Sequence, residues 1–247
     1  MFVQRAFVPE SARPEDSGVW PYTVPCVAQL LDDGMAFHKP ITMVVGENGS
    51  GKSTLVEAIA EGFRLDAQGG RASNLRGRPN PTKTALGEVL KLETTARGSE
   101  MLGGPRLGRK GFFLRAETAF GMTENLGGRR GFWEEDTSRM SHGESYLTVF
   151  RTMMRDPGFY VLDEPESGLS FQSTLVLMAQ LYELGKSGAQ VVCATHSPLL
   201  ASTPGAGIIE IGEHGFRGST WRELDVVTNW SRFLDQPDFY LRHITQP

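Results

Sequence analysis

One run of nine residues combines glycines, a lysine and hydroxyl side chains: Gly46, Glu47, Asn48, Gly49, Ser50, Gly51, Lys52, Ser53 and Thr54. Glycines let the backbone turn tightly, so that several N–H groups can face one anion. A lysine in such a loop reaches the β- and γ-phosphates of a nucleotide, and the hydroxyl that follows it binds Mg²⁺. The spacing fits G-x-x-x-x-G-K-[ST], the phosphate-binding loop or P-loop. We therefore predict that the nine residues bind ATP, that Lys52 takes part in catalysis and that Ser53 binds Mg²⁺.

Side chains that can act on a phosphate follow two apolar segments further along the chain. Asp163 and Glu164 come directly after residues 159–162, and His196 comes soon after residues 191–194. Such apolar runs are typical of buried parallel strands, whose carboxyl ends meet at the ligand-binding edge of an α/β sheet. At that edge Asp163 can support Mg²⁺ and Glu164 can act as general base for the attacking water. His196 can hydrogen-bond the γ-phosphate or that water.

A serine and a glycine stand at the predicted start of a helix that precedes these acids. Ser141 lies 22 residues before Asp163, within Met-Ser-His-Gly-Glu-Ser. A hydroxyl and a backbone N–H at a helix start can bind an anion. The same residues also make an ordinary helix N-terminus with a glutamate in its first turn. Taken alone, the segment favours the structural interpretation.

The order of these segments resembles the ATP-binding cassette (ABC) superfamily. The likeness covers about residues 37–63 and 138–212, and residues 167–170, Ser-Gly-Leu-Ser, stand where that family has its D-loop. It implies that Glu164 is the catalytic glutamate, that Asp163 supports Mg²⁺ and that His196 is the switch histidine.

The resemblance also assigns a role to the residues before the acids. The family's signature segment would consist of Ser141, His142, Gly143 and Glu144. In the family this segment faces the γ-phosphate of ATP that is bound to a second subunit. The expected assembly is an ATP-dependent head-to-tail homodimer with two ATP molecules at the interface.

Several positions depart from the transporter members of that family. His142 and Glu144 replace the Gly and Gln of the transporter signature, which makes the chain more similar to soluble ATPases near the SMC and DNA-repair branch. No glutamine marks a Q-loop. The strand-like residues 111–118 would occupy its place, where either Arg115 or Glu117 contacts Mg²⁺ or phosphate, or both are exposed charges of an amphipathic strand.

The residue that contacts adenine is also left open by the sequence. Trp20 and Tyr22 lie at about the expected distance before the P-loop. The intervening proline and the apolar helix pattern that follows favour a packing role for both aromatic rings.

The elements that must position these residues alternate between strand and helix patterns. We predict a P-loop NTPase of the α/β class with an ABC-type nucleotide-binding core, in which a mostly parallel sheet is flanked by helices. Residues 1–247 form a single domain, and residues 64–138 form a small basic lid or insert, since no heptads indicate long coiled-coil arms. Residues 1–8 suit an edge strand, residues 66–82 and 97–111 suit loops, and residues 84–95 fit neither helix nor strand clearly.

Two C-terminal helices are expected at residues 225–234 and 238–243, split by a proline. Five aromatic side chains are expected to dock this tail on the core: Trp221, Trp230, Phe233, Phe239 and Tyr240.

Composition places the chain among ordinary globular proteins. Of its 247 residues 39% are hydrophobic and 22% are charged, and no apolar run approaches the roughly 18 residues that span a bilayer. The N-terminal residues do not resemble a signal peptide. Cys26 and Cys193 stand far apart and indicate no disulfide framework. We therefore expect a cytoplasmic protein without membrane insertion.

Charge is distributed unevenly along the chain. The net charge is −4, yet residues 64–130 hold thirteen Lys and Arg against six Asp and Glu, an excess of seven positive charges. Such a basic segment can face a polyanion, so DNA or RNA contact at the lid is one interpretation. A solvated basic arm with no partner is the other, because no recognition motif accompanies the charge.

The motifs together predict an ATPase that binds ATP with Mg²⁺ and couples hydrolysis to the closing and opening of a dimer. We expect this cycle to serve DNA maintenance, repair or defence. The alternative is an ATP-binding subunit that acts with a separate membrane permease. A third class is a regulator or toxin-like defence component whose protein partner responds to the ATP state. A small-molecule kinase would share the P-loop, but it would leave the signature, the D-loop and His196 without a role.

Overall fold

A computed structural model describes residues 1–65, 70–71, 83–103, 111–115 and 142–245. Ten strands are described: β1 (Val3–Phe7), β2 (Met35–Ala36), β3 (Ile41–Val45), β4 (Gly70–Arg71), β5 (Lys91–Thr94), β6 (Gly111–Arg115), β7 (Phe159–Asp163), β8 (Gln190–Thr195), β9 (Gly207–Gly212) and β10 (Gly215–Ser219). The helices within the same ranges are α1 (Pro25–Asp33), α2 (Lys52–Gly62), α3 (Ala85–Val89), α4 (Ala96–Gly103), α5 (His142–Met153), α6 (Phe171–Lys186), α7 (Pro198–Ala201), α8 (Asp225–Asp235) and α9 (Pro237–Thr245).

Seven strands form the main sheet in the order β10-β9-β3-β8-β7-β6-β4. The five central strands, from β9 to β6, run parallel, and one antiparallel strand closes each side. All side chains of β3, β7 and β8 are buried, as expected for parallel strands that are covered on both faces. The fold is therefore an α/β P-loop fold with a mostly parallel sheet between helices, as predicted.

The alternation of side chains along the strands divides the core into two layers. Val44, Val161 and Val192 face a layer that is shared with α1, α2 and the small sheet. Their neighbours Met43, Leu162 and Cys193 face the other layer, which α6 and α7 cover. Both faces of the sheet are thus buried, which fixes the strand register and with it the position of each strand end.

A second sheet has three antiparallel strands in the order β2-β1-β5. The buried amide of Gln190, at the start of β8, joins it to the main sheet. Its Oε1 accepts hydrogen bonds from Phe2 N at 2.6 Å and Val3 N at 2.8 Å, and its Nε2 donates to Val3 O at 2.8 Å. One side chain therefore satisfies three backbone groups of the N-terminal strand.

Several local predictions are corrected by these elements. β1 is the middle strand of the small sheet and not an edge strand, because β5 pairs with its second side. Residues 84–95 divide into α3 and β5. Residues 96–103, mostly expected as loop, form α4, where Gly98 is required by close packing: a Cβ there would lie 2.0 Å from Phe2 O. Most of the predicted lid at residues 64–138 lies outside the described residues.

The two C-terminal helices are confirmed, but the aromatic side chains dock them only in part. Buried Leu224 and Val227 attach this segment to the core, and Trp221 Nε1 donates to Pro198 O at 2.7 Å. Trp230 and Phe239 are 52% and 53% exposed, so the docking prediction is wrong for these two rings. Within the part of the chain that is described, no helix has the length and apolar character needed to cross a membrane.

Candidate functional site

The P-loop connects the end of β3 at Val45 to the start of α2 at Lys52. Gly49 and Gly51 have φ angles of 82° and 98°, which glycine adopts without the steric cost of a side chain. Packing also requires glycine at position 51, because a Cβ there would lie 2.7 Å from Cys26 Sγ. The N-terminus of α2 therefore opens directly onto a tight loop, the arrangement that binds phosphate.

Lys52 is buried at the centre of this loop with only 3% of its side chain exposed. Its Nζ donates a hydrogen bond to Glu47 O at 2.8 Å and lies 3.7 Å from Glu164 Oε1. A buried ammonium group requires partners of this kind. The lysine is held where an anion in the loop would meet its charge.

Ser53 and Asp163, the two predicted Mg²⁺ residues, are in direct contact. Ser53 Oγ donates to Asp163 Oδ1 at 3.1 Å. Burial raises the pKa of Asp163, and the hydrogen bond from Ser53 and the charge of Arg115 oppose this rise. The described residues contain no group of three or more His, Cys, Asp or Glu side chains that could hold a metal ion. This pair fits Mg²⁺, because that ion takes hard oxygen ligands and is usually bound by one or two protein groups together with substrate phosphates.

Glu164 and His196 come together at the ends of β7 and β8. His196 Nδ1 lies 3.4 Å from Glu164 Oε1, and Glu164 N donates to Ala194 O at 3.0 Å. Glu164 has a φ angle of 48°, a left-handed conformation that is strained for a residue with a side chain and that concentrates at functional sites. The two predicted catalytic side chains thus share one edge of the sheet with Lys52.

Arg115 occupies the same edge at the end of β6. It lies opposite Asp163 in the parallel register, with its Nε 3.7 Å from Asp163 Oδ2. Its Nη1 and Nη2 lie 3.4 and 3.3 Å from the two carboxylate oxygens of Glu57, whose pKa is raised mainly by burial. Of the two candidates for the Q-loop position, Arg115 is therefore at the site, whereas Glu117 lies outside the described residues.

Glu166 is a site residue that the sequence interpretation did not assign. It is 8% exposed, and its Oε1 accepts a hydrogen bond from Thr195 Oγ1 and lies 3.9 Å from His196 Nδ1. Burial raises its pKa, which the hydrogen bond from Thr195 and the charge of His196 counteract. The signal was present as a third acid in the turn after β7.

A cavity of about 580 Å³ runs along the P-loop, Arg115, Asp163 and Glu164. Its walls are Trp20, Val24, Asn48, Gly49, Gly51, Lys52, Ser53, Thr54, Arg115, Asp163, Glu164 and Ser167. Trp20 is 70% exposed at one end, whereas Tyr22 is buried and donates its hydroxyl to Ala85 O at 3.1 Å. The expected packing role is therefore correct for Tyr22 and wrong for Trp20.

The predicted signature segment is only partly described. Ser141 lies outside the described residues. His142, Gly143 and Glu144 form the first turn of α5.

The site contains one of the two cysteines close beneath the P-loop. Cys26 Sγ donates to Ser50 O at 3.2 Å, and burial raises the pKa of its thiol to about 11. Cys193, in β8, is fully buried, and its pKa is raised well above the ordinary value by that burial. Both thiols are free.

Comparison with known proteins agrees with this geometry. The family model described as "ABC transporter" matches residues 36–167, which is more than half of the chain. The chain belongs to the ABC ATPase family. As an ABC ATPase it binds and hydrolyses ATP, and members of the family generally use Mg²⁺ with it. A second family model, described as "AAA domain, putative AbiEii toxin, Type IV TA system", matches residues 134–202.

Relatives of this ABC ATPase include two archaeal proteins of similar size. "Putative ABC transporter ATP-binding protein PF0068" of Pyrococcus furiosus is 29% identical over 74% of this chain and 73% of its own length. "Putative ABC transporter ATP-binding protein VNG_2317G" of Halobacterium salinarum is 30% identical over 62% of this chain and 69% of its own length. Other relatives are longer, and the chain spans 32% of the arabinose import ATP-binding protein AraG of Ralstonia nicotianae and 12% of ABC transporter G family member 15 of Dictyostelium discoideum.

Among solved structures, CbiO1 of Clostridium perfringens, part of an ABC transporter complex, has a TM-score of 0.44 and 15% identity. It covers 87% of this chain and 90% of its own length. The relatives matched by sequence are named as ABC transporters or as ATP-binding proteins, established or putative, of such transporters, so the expected place of this ABC ATPase near the SMC and DNA-repair branch is not supported.

Proposed function

We propose that this ABC ATPase is the ATP-binding subunit of a transport assembly, in which a second copy completes each ATP site and a separate membrane permease responds to the cycle. The observation that carries the proposal is the site itself, where Lys52, Asp163 and Glu164 line one cavity and His196 lies beside Glu164. The relatives favour transport as the process. The ATPase would then act at the cytoplasmic face of the membrane.

ATP binding begins with the backbone of the P-loop and the N-terminus of α2. The N–H groups of the loop donate hydrogen bonds to the phosphates, and Lys52 exchanges its hydrogen bond to Glu47 O for the β- and γ-phosphate oxygens. Ser53 and Asp163 would hold Mg²⁺. This ion would supply positive charge that neutralises the charge developing on the phosphates.

Hydrolysis requires a base and a group that contacts the γ-phosphate. Glu164 accepts the proton of a water that is in line with the γ-phosphate. Its contact with Lys52 is broken when the lysine turns to the nucleotide, which leaves the carboxylate free for this water. His196 contacts the γ-phosphate or this water. Catalysis consists mainly of positioning and charge stabilisation, because the protein does little covalent chemistry itself in phosphoryl transfer.

A second copy is proposed because the described half-site is open. The side chains of Glu164 and His196 are 28% and 45% exposed, so the described residues alone do not shield the reaction from bulk solvent. The signature segment of a second copy, with Ser141 and Gly143 as its phosphate-binding groups and His142 and Glu144 beside them, would close the site. Both ATP molecules then lie between the same two surfaces.

The test is steady-state Mg-ATP hydrolysis by the purified protein, alone and after reconstitution in nanodiscs with any integral membrane protein that the neighbouring genes encode. A rise in turnover with that membrane protein, absent with empty nanodiscs, supports transport. Unchanged turnover with every neighbouring membrane protein contradicts the permease partner and leaves the ATPase assignment in place.

A second candidate function is DNA maintenance, repair or defence, which the positive excess of residues 64–130 favours. Adding duplex DNA to the same assay at low salt tests it, because phosphate contacts are strongest there. Stimulation by DNA that disappears as salt is raised would favour this candidate over transport.

A further inference from the structure

Glu166 ties together the backbone on both sides of His196. Its Oε1 accepts a hydrogen bond from Thr195 Oγ1, and the same Thr195 hydroxyl accepts one from Ser197 N at 2.9 Å. The residues immediately before and after His196 are therefore held in a chain of hydrogen bonds that ends at a buried carboxylate.

The imidazole of His196 faces two carboxylates through the same nitrogen. Nδ1 lies 3.4 Å from Glu164 Oε1 and 3.9 Å from Glu166 Oε1. A ring nitrogen that faces carboxylate oxygens is the one that carries a proton, because an unprotonated nitrogen would place lone pairs against lone pairs. Nε2 is then left for the nucleotide.

Only one of these carboxylates is free of other tasks in the proposed reaction. Glu164 must serve the attacking water, and it borders the cavity and Lys52. Glu166 is not among the residues that line this cavity, and its Oε2 is buried without a hydrogen-bond partner among the described residues. When Glu164 turns to the water, the carboxylate of Glu166 is the acceptor that remains for the Nδ1 proton of His196.

A purely structural role does not account for an acid at position 166. Thr195 needs only a hydrogen-bond acceptor, which a glutamine would supply without the cost of burying a carboxylate. That cost is visible in the pKa of Glu166, which is raised mainly by burial. A nearby basic group offsets such a cost, and His196 is the basic group at hand.

We propose that Glu166 is a positioning residue for ATP hydrolysis: it holds His196 through Nδ1 and keeps Nε2 directed at the nucleotide while Glu164 acts on water. This inference rests on the proposed roles of Glu164 and His196. Glu166 acts through the histidine and does not touch ATP.

The test compares Glu166→Gln with Glu61→Gln in the full-length protein. Glu61 is a matched control, since it is a carboxylate of similar burial, 4% exposed, that accepts hydrogen bonds from Thr84 N and Oγ1 away from the cavity. We expect Glu166→Gln to lower kcat about tenfold through loss of the carboxylate charge 3.9 Å from Nδ1, with the KM for ATP changed less than about twofold. Glu61→Gln leaves both constants near those of the wild type.

A double-mutant cycle shows whether Glu166 acts through the histidine. In a His196→Gln background, Glu166→Gln should lower kcat by less than about twofold, because the group that it positions is already gone. A tenfold loss in both backgrounds, or no loss in either, overturns the proposal.

A measurement on the unmutated protein covers the case in which Glu166→Gln does not fold. Long-range ¹H–¹⁵N spectra of histidine, assigned with His196→Gln, report which ring nitrogen carries the proton. A proton on Nδ1 is expected, and a ring protonated on Nε2 alone overturns the proposal. Full hydrolysis by Glu164→Gln or His196→Gln would instead refute the proposed function. If Glu164→Gln and His196→Gln both lose activity while Glu166→Gln hydrolyses ATP at the wild-type rate, only the role of Glu166 is refuted.

Discussion

Replacing the buried Gln190 by leucine should strongly destabilise the protein. The substitution removes the partner of two backbone N–H groups and one backbone C=O, all at hydrogen-bond distances of 2.6–2.8 Å in a fully buried position. Leaving a buried polar group unsatisfied costs about 1–3 kcal/mol. Three such groups give a loss of about 3–9 kcal/mol, a large part of the roughly 5–15 kcal/mol that stabilises a typical domain.

Gln180 provides the matched control for the same substitution. Its amide nitrogen and oxygen are buried in α6, and neither has a hydrogen-bond partner in the described ranges. Gln180→Leu therefore removes two unsatisfied groups and should leave stability unchanged or raise it.

Urea and thermal unfolding of both variants measure the difference. A loss of about 3 kcal/mol corresponds to about 6–12 °C in Tm for a protein of this size. If the free energies of unfolding of Gln190→Leu and Gln180→Leu differ by less than about 1 kcal/mol, the hydrogen bonds to the N-terminal strand do not contribute as the structure indicates.

Three further predictions concern the nucleotide site. Glu164→Gln should retain ATP binding and lower turnover at least about a hundredfold through loss of the base. In ATP it should also run as a dimer on size-exclusion chromatography. A monomer with full hydrolysis would contradict both Glu164 as the base and the ATP-dependent dimer. Trp20→Ala should raise the KM for ATP about tenfold if adenine stacks on this exposed ring. Tyr22→Phe loses only the hydrogen bond to Ala85 O and should leave the KM unchanged. Equal KM values for the two variants would exclude stacking. Asp163→Asn should abolish Mg²⁺-dependent ATP binding yet raise Tm at neutral pH. Because the pKa of Asp163 is raised in the folded protein, its ionised form lowers stability, and the gain from asparagine should disappear as pH falls through that pKa and the carboxyl protonates; a gain that persists in acid would contradict this cause.

The sequence predicts the arrangement of the candidate site best where that arrangement depends on short segments. The P-loop needs only a strand, glycines and a helix in succession, and β3, the loop and α2 have that order. The apolar runs that precede Asp163 and His196 are enough to place both residues at one edge of the sheet, because parallel strands end at a common edge.

The remaining contacts join residues that are distant in sequence. Gln190 contacts Phe2 and Val3 across 188 and 187 positions, and no periodicity marks such a pair. Gly98 is expected in a loop because glycine disfavours helices, yet in α4 it permits the close approach of Phe2 O. The ring of Trp20 could pack or face the site, and only the three-dimensional arrangement separates these outcomes.

The two buried thiols have a practical consequence for following the ATP cycle. Maleimide dyes react with accessible thiolates, and both native cysteines are inaccessible and have raised pKa values. A single cysteine introduced at an exposed position such as Glu183, whose side chain is 69% exposed, would therefore be the reactive site in an otherwise unmodified sequence. Energy transfer between donor- and acceptor-labelled copies could then time the approach and separation of two subunits at each turnover.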